Sequence, residues 1–178
     1  MKNIEFRKIK IDELNNQILQ KFNRFQETSQ VWYKEDDEYR IKEDHFEERW
    51  DEEKKIQVIQ ALRECILSGG IVFGAFEDQK LVGFANVEGE LFGSKKEYVE
   101  LPYIHVSNEL RGSGIGKKLF YLCCEGAREL GAKKLYIAAH PSIETQHFYK
   151  SVGCGYAVEI NEKILAKEPL DIQMELVL

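Results

Sequence analysis

The run from Tyr98 to His140 constrains the fold more than any other part of the chain. It opens with the β-rich stretch YVELPYIHV (98 to 106) and passes through the glycine-rich segment LRGSGIGKKL (110 to 119). Ile115, Leu119, Leu122, Cys123, Ala127 and Leu130 then recur at helical spacing. Gly131 stands where that helix should stop, and KKLYIAAH (133 to 140) supplies a second strand. Strand, glycine loop, amphipathic helix and strand in this order predict a mixed α/β architecture. Pro102 lies inside the first strand and has no N–H to give to a ladder, so a bulge or a splayed strand is expected there.

The flanking sequence fills in the remaining elements. IEFRKIKI (4 to 11) alternates apolar and charged residues like a half-exposed strand, and Asp12 offers an N-cap for a helix over LNNQILQKFNRF. From Asp44 onward, Phe46, Trp50, Val58, Ile59, Leu62, Cys65 and Ile66 predict one long amphipathic helix, stopped by Gly69-Gly70. IVFGAFE (71 to 77) and LVGFANVEGEL (81 to 91), joined by Asp78-Gln79-Lys80, read as an antiparallel hairpin. Pro141-Ser142 introduce a short helix, IETQHFYKSV, that ends at Gly153, and YAVEI (156 to 160) and LDIQMELVL (170 to 178) complete the sheet. There is no internal repeat and no low-complexity segment.

At 178 residues and 43% hydrophobic composition, the chain can bury one substantial core and is short for two domains, so residues 1–178 read as a single domain. A formal charge of -6 argues against nucleic acid as a partner. The four cysteines, at 65, 123, 124 and 154, form neither a CxxC pair nor a His-Cys zinc spacing, so no metal is expected and the thiols read as reduced and packed. The N-terminal MKNIEFRKIKIDEL lacks a signal-type apolar core, and no segment approaches the roughly 18 apolar residues of a membrane span. A soluble, cytoplasmic protein without a membrane partner is the expectation, and a homodimer stays open.

The glycine loop can be tested against known phosphate loops. A Walker A loop needs GxxxxGK followed by Ser or Thr, but Gly116-Lys117 has Arg111 five positions earlier and Lys118 after it. The dinucleotide fingerprint GxGxxG fails because Lys stands at the third glycine position. What remains is a run of backbone N–H groups from Arg111 to Gly116 that can converge on an anion at a helix start, with Arg111 and Lys117 adding formal charge. The alternative is a strand-to-helix turn that binds nothing.

The spacing of Arg111, Gly114 and Gly116, after an apolar strand and opening an amphipathic helix, resembles the acetyl-CoA signature R-x-x-G-x-G of the GNAT superfamily of N-acetyltransferases. The resemblance extends over roughly residues 71 to 178: VFGAFEDQKLVGFANVE is similar to the family's central hairpin, and HFYKSVGC to its Phe-Tyr helix. It implies the GNAT fold, a central mixed and mostly antiparallel sheet splayed at the acetyl-CoA strand and flanked by helices. Residues 1–70 would then supply a strand and acceptor-side helices, and 71–178 the acetyl-CoA-binding core. Acetyl-CoA is the implied acyl donor, held by Ile104, His105, Val106, Arg111, Gly112, Ser113, Gly114, Ile115, Gly116 and Lys117. The family often has Asn three residues before an Ala ahead of Phe-Tyr, where this chain has Ser142 and Thr145; Ser142 can cap the helix or bond the cofactor.

Acetyl transfer to an amine needs a neutral nucleophile, a stabilised oxyanion and a proton for the departing thiolate. By the resemblance, Tyr149 is the general acid and Glu100 the base; the alternatives are a half-buried tyrosine beside Phe148 and a solvent-facing strand carboxylate. His105 and Tyr103 are weaker candidates for the base, and His140 and His147 read as structural or exposed. Attack is direct, with no covalent cysteine intermediate required, although Cys154 lies close to Tyr149 in sequence. Residues 35 to 53 carry eleven acidic and three basic side chains, which either draw a cationic small-molecule amine or form a solvated face. The aromatic residues Trp32, Tyr33, Tyr39, Phe46 and Trp50 in or beside that segment either hold an acceptor or anchor the helices. The rival readings are a non-catalytic acyl-CoA sensor or scaffold and a nucleotide-binding protein using the same loop.

Overall fold

A computed structural model of the chain describes residues 3–178. The strands β1 (Ile4–Lys8), β4 (Ile71–Glu77), β5 (Lys80–Val87) and β7 (Ile104–Val106) form one sheet in the order β1-β4-β5-β7, antiparallel throughout. A second sheet has the order β6-β8-β10-β9, from β6 (Tyr98–Glu100), β8 (Lys134–Ala139), β9 (Gly155–Tyr156) and β10 (Ile172–Val177). Its β6–β8 pair is parallel. Helix α1 (Glu52–Leu67) covers one face of the first sheet, and α2 (Ile115–Glu129) covers the other. The short helices α3 (Ile143–Ser151) and α4 (Glu162–Lys167) flank the second sheet.

The expected irregularity at Pro102 divides the two sheets. Asn86 N–H donates to the Tyr103 carbonyl, but two residues on, Glu88 N–H donates to the Glu100 carbonyl. The 98–106 run therefore carries one extra residue, a bulge at Leu101-Pro102. There Leu101 turns away and donates its N–H to the Tyr136 carbonyl of β8. The chain enters this region in one sheet and leaves it in the other.

The N-terminal third departs from expectation. No helix forms over 14 to 22: a short 3-10 turn (Ile11–Glu13) precedes open turns, whose Leu14, Leu19 and Phe22 nevertheless fill the core under α1. Lys10, not Asp12, occupies the cap, and its N–H donates to the Glu13 carboxylate. Residues 44 to 50 are not helical either. They belong to a long hairpin, β2 (Phe25–Glu35) and β3 (Glu38–Arg49), which turns through Asp36 and Asp37 with φ of 49° and 63°. Two consecutive left-handed residues make the tight turn whose twist suits a two-residue hairpin, and aspartate tolerates that backbone. Helix α1 starts later, capped by Asp51, whose carboxylate accepts from Lys54 N–H at 2.8 Å. The hairpin leans on the second sheet: Trp32 N–H donates to the Pro141 carbonyl, and Val31 bridges Ser142. Near the C-terminus the strand expected at 156 to 160 is only Gly155–Tyr156, and α4 follows with Asn161 as its cap.

Candidate functional site

A cleft of about 1830 Å³ opens where the sheets part. One wall is β7 with the glycine loop; the other is the hairpin with the end of β8. In β7 the bonded ladder partners can be identified from their neighbours. Ser107 N–H donates to the Val82 carbonyl and Asn86 N–H to the Tyr103 carbonyl, so Tyr103, His105 and Ser107 direct their backbone groups to β5. Ile104 and Val106, between them, direct theirs to the free edge, which faces the cleft because β7 ends its sheet. His105 thus brings a side chain rather than a free amide.

The glycine loop descends from Val106 through a 3-10 turn (Asn108–Leu110). The Arg111 N–H is spent on the Asn108 carbonyl at 3.3 Å, and its Nε donates to the Val106 carbonyl at 3.3 Å. Gly112 and Gly114 have φ of 79° and 86°, a left-handed backbone that side chains resist. Gly114 caps α2 without a side chain, and the helix begins its ladder with Lys118 N–H to the Gly114 carbonyl. The amides of Ile115, Gly116 and Lys117 precede that bond, in a first turn with no acidic side chain to complement the dipole. Such a turn is built to receive an anion. Ser113 lies outside the cleft wall, with its hydroxyl donated to the Leu110 carbonyl. Gly116 is informative for a different reason: the nearest atoms a Cβ there would meet belong to Phe148 and Val106, at an ordinary 3.6 Å. Nothing in the protein demands a glycine at that point, but the close approach of a ligand would.

Tyr149 projects from α3 to the floor of the same cleft, 5% exposed, with the Phe148 and Phe120 rings at 5.2 Å and 6.3 Å. Burial, and then the neighbouring Cys154, Cys123 and Asp171, push its phenol upward, so it stays protonated at neutral pH. Ser142 is different. It is fully buried and off the cleft wall, and its Oγ accepts from Thr145 N–H and Gln26 Nε2 while donating to Thr145 Oγ1. It caps α3 and ties the hairpin to it.

The structure does not bring Glu100 to Tyr149. Glu100 sits on β6, in the other sheet, and lines a separate cleft with Glu88 and Lys167. Burial holds its carboxyl up, opposed by Lys167 and reinforced by Glu88. The bulge at 101–102 is the cause, because it moves residues 98 to 100 out of register with β7. The main cleft holds instead Glu48 from β3, His140 after β8 and Asp171 before β10. The Ser142 N–H donates to His140 Nδ1 at 3.1 Å, which leaves the ring proton on Nε2, 3.4 Å from Glu48 Oε2. That contact holds the Glu48 carboxyl down against desolvation. Burial lifts Asp171 to about 6. Residues 48, 140 and 171 share no local motif, and no sequence spacing could have joined them.

On the other side of His105 lies Arg24, at the start of the hairpin. Its Nε donates to His105 Nδ1 at 3.2 Å and its Nη2 to Gln26 Oε1 at 3.0 Å. Burial, together with Arg24 and Arg111, keeps His105 well below the usual imidazole range and neutral. The acidic segment is largely solvated, with Asp37, Asp44 and Glu48 reaching the cleft. Trp32, Tyr33, Tyr39, Phe46 and Trp50 all line it, but Lys150 already covers Trp32 and Lys42 covers Tyr33. All four cysteines are buried and unpaired. Burial pushes Cys154 to about 12, Cys124 to about 11 and Cys65 to about 12. Thiols held so high supply almost no thiolate at neutral pH. No helix among the described residues is long and apolar enough to cross a membrane.

Comparison with known proteins bears on the fold and the family. A nourseothricin acetyltransferase structure superposes with a TM-score of 0.69 at 18% identity, covering 98% of each chain. A putative streptothricin acetyltransferase from Bacillus anthracis in complex with acetyl coenzyme A gives 0.66 at 14% identity, over 99% of this chain and 98% of that one. The PaiA N-acetyltransferase from Thermoplasma acidophilum in complex with coenzyme A gives 0.60 at 17% identity, over 99% of each. At these identities the likeness establishes the fold. A search of curated proteins gives no match. The model of the acetyltransferase (GNAT) family matches residues 27–155, most of the chain and the whole of the splayed strand, glycine loop and Tyr149 helix, and the chain belongs to that family.

Proposed function

We propose that the protein transfers an acetyl group from acetyl-CoA to a primary amine by direct attack. The observation that carries the reading is the continuity of two donor sets along one cleft wall. The outward amides of Ile104 and Val106 lead directly into the uncapped first turn of α2. An extended pantetheine arm can pair with the first set while its pyrophosphate rests on the second, beside Arg111 and Lys117. Acetyl-CoA supplies an activated thioester; the protein has to orient it, accept charge on its carbonyl oxygen and manage two protons.

The chain's own groups suit each task. A β7 amide donates to the developing oxyanion. The protonated Tyr149 phenol donates to the departing sulfur as the carbon–sulfur bond breaks. The carboxylates of Glu48 and Asp171 are placed to take the proton that the attacking nitrogen loses, directly or through water. The raised cysteine thiols favour this direct route over a covalent acyl-cysteine.

The test is thiol release from acetyl-CoA by the purified protein against a panel of polyamines, aminoglycosides, amino acids and peptides, beside thermal stabilisation by CoA and by ATP. Amine-dependent release with stabilisation by CoA is expected. CoA binding without release for any amine would leave an acyl-CoA sensor, and stabilisation by ATP at least as large as by CoA would overturn the cofactor.

A further inference from the structure

The acceptor end of the cleft contains a charge that the protein balances only in part. The Arg24 side chain is 9% exposed, yet its hydrogen-bonded partners are neutral: His105 Nδ1 and Gln26 Oε1. Its nearest carboxylate oxygen, Glu48 Oε2, is 4.0 Å away, beyond hydrogen-bonding range. Arg24 Nη1 is buried without any hydrogen-bond partner. Glu48 is thus an ion-pair partner that accepts no hydrogen bond from it, whereas a guanidinium, which cannot escape the cost of burial by losing its proton, normally has an anion hydrogen-bonded to it.

Its position says which part of a ligand the anion belongs to. Side chains alternate across β7. Val106 faces the first turn of α2, where it lies near Gly116, whereas His105 faces the opposite side, with its ring 4.7 Å from Trp50 and 5.7 Å from Phe84. Arg24 is bonded to that His105 ring and stands over Trp50 at 5.5 Å. It therefore lies across β7 from the glycine loop, on the side where Glu48, His140 and Lys54 also line the cleft. Arg111 lies near enough to act on both Arg24 and His105, but the first turn of α2 is on the Val106 face, so an anion seated against the His105 face is a group other than one resting on that turn.

Building on the acyl-transfer reading, we infer that the acceptor is a small zwitterion, an amine carrying a carboxylate in the manner of an amino acid. Arg24, assisted by Lys54, takes the carboxylate, and Glu48 and Asp171 face the amine. An acceptor that is only a polycation would offer the buried guanidinium no counter-charge. Neutral His105 acts as a positioning residue that fixes the Arg24 fork through Nε.

Matched ligands that differ only in the carboxylate test this. Thiol release is measured with amino acids against their decarboxylated amines and α-carboxamides. In parallel, N-acetyl amino acids and the corresponding N-acetyl amines are titrated calorimetrically into the full chain with and without CoA, which requires no turnover. The carboxylate-bearing members are expected to be favoured by about 10- to 100-fold in kcat/KM or Kd, the range of a charge-assisted hydrogen bond or two. Arg24→Met should reduce that preference to within about threefold and leave CoA affinity unchanged, and Arg24→Lys should retain part of it. Decarboxylated amines that serve as well as amino acids, a preference that survives Arg24→Met, or no binding by any carboxylate-bearing ligand would each overturn the proposal. The wild-type pairs decide the matter even where Arg24→Met does not fold. Failure of CoA itself to bind would strike the acyl-transfer reading, while the titrations without CoA would still report on Arg24.

Discussion

Gly116→Ala separates what the fold needs from what the ligand needs. In the protein alone, the new methyl would rest 3.6 Å from both Phe148 and Val106, ordinary contact distance. The site lies in the first turn of α2, where alanine is the better helix former by about 0.5–1 kcal/mol in a helix interior and somewhat less at an end. For a chain of this length the melting temperature should rise by about 1–3 °C. The same methyl would stand beside Val106 and Phe148, which line the cleft with Gly116, and there it should push a bound pyrophosphate off at least one charge-assisted hydrogen bond. Each such bond contributes about 1.5–3 kcal/mol, so CoA affinity should fall by about 10- to 100-fold. Gly114→Ala is the control of opposite sign. Its Cβ meets nothing within 4 Å, but φ of 86° makes alanine strained by about 1–2 kcal/mol, so the melting temperature should fall by about 2–8 °C. Calorimetric titration of CoA and thermal melts of both variants read these quantities. A Gly116→Ala protein that is stable and binds CoA within about twofold of wild type would refute the cradle at the start of α2.

Three further variants test the rest of the cleft. Tyr149→Phe removes a hydroxyl and leaves the ring packing against Phe120 and Phe148, so turnover should drop by about 100-fold with CoA affinity within about twofold; an unchanged rate removes the phenol from the mechanism. Glu100→Gln should leave turnover within about twofold, since the side chain lies in the other cleft, and a melting temperature at pH 7 equal to or above wild type is expected because burial disfavours the charged form. Asp171 has a folded pKa of about 6 against an ordinary 3.8, so the fold prefers its protonated form: the stability it contributes is complete below about 4 and lost as pH rises through about 6. Asp171→Asn should abolish that decline, and denaturant melts of the variant that still weaken between pH 4 and 6 by the wild-type amount would place the titrating group elsewhere.

Local chemistry explains which parts of this molecule were legible in its sequence. The glycine loop, the stop at Gly131 and the bulge at Pro102 are each dictated by residues within one turn or one strand, and each stands where the sequence places it. The hairpin has a signal too, since VWYK and YRI flank Glu35-Asp36-Asp37-Glu38, β-rich runs around a two-residue turn, but Phe46 and Trp50 also fit the helical spacing of Val58, Ile59 and Leu62, and the charged residues around them do not decide between the two. Exposed charge carries little information about period, because a strand with one wet face and a helix with one wet face tolerate the same lysines and glutamates. The separation of Glu100 from Tyr149 has the opposite origin. The bulge was expected, and its consequence, that residues on either side of Pro102 enter different sheets, determines which side chains can meet. A cofactor that lies along one contiguous segment leaves its trace in that segment. The part of the cleft proposed to meet the acceptor is assembled from positions 24, 48, 54, 105, 140 and 171, on segments joined where the 25–49 hairpin folds back to bond with Pro141 and Ser142. On the acyl-transfer reading proposed above, substitutions there would change the walls that meet the acceptor without touching the loop, so the acceptor has to be read from geometry.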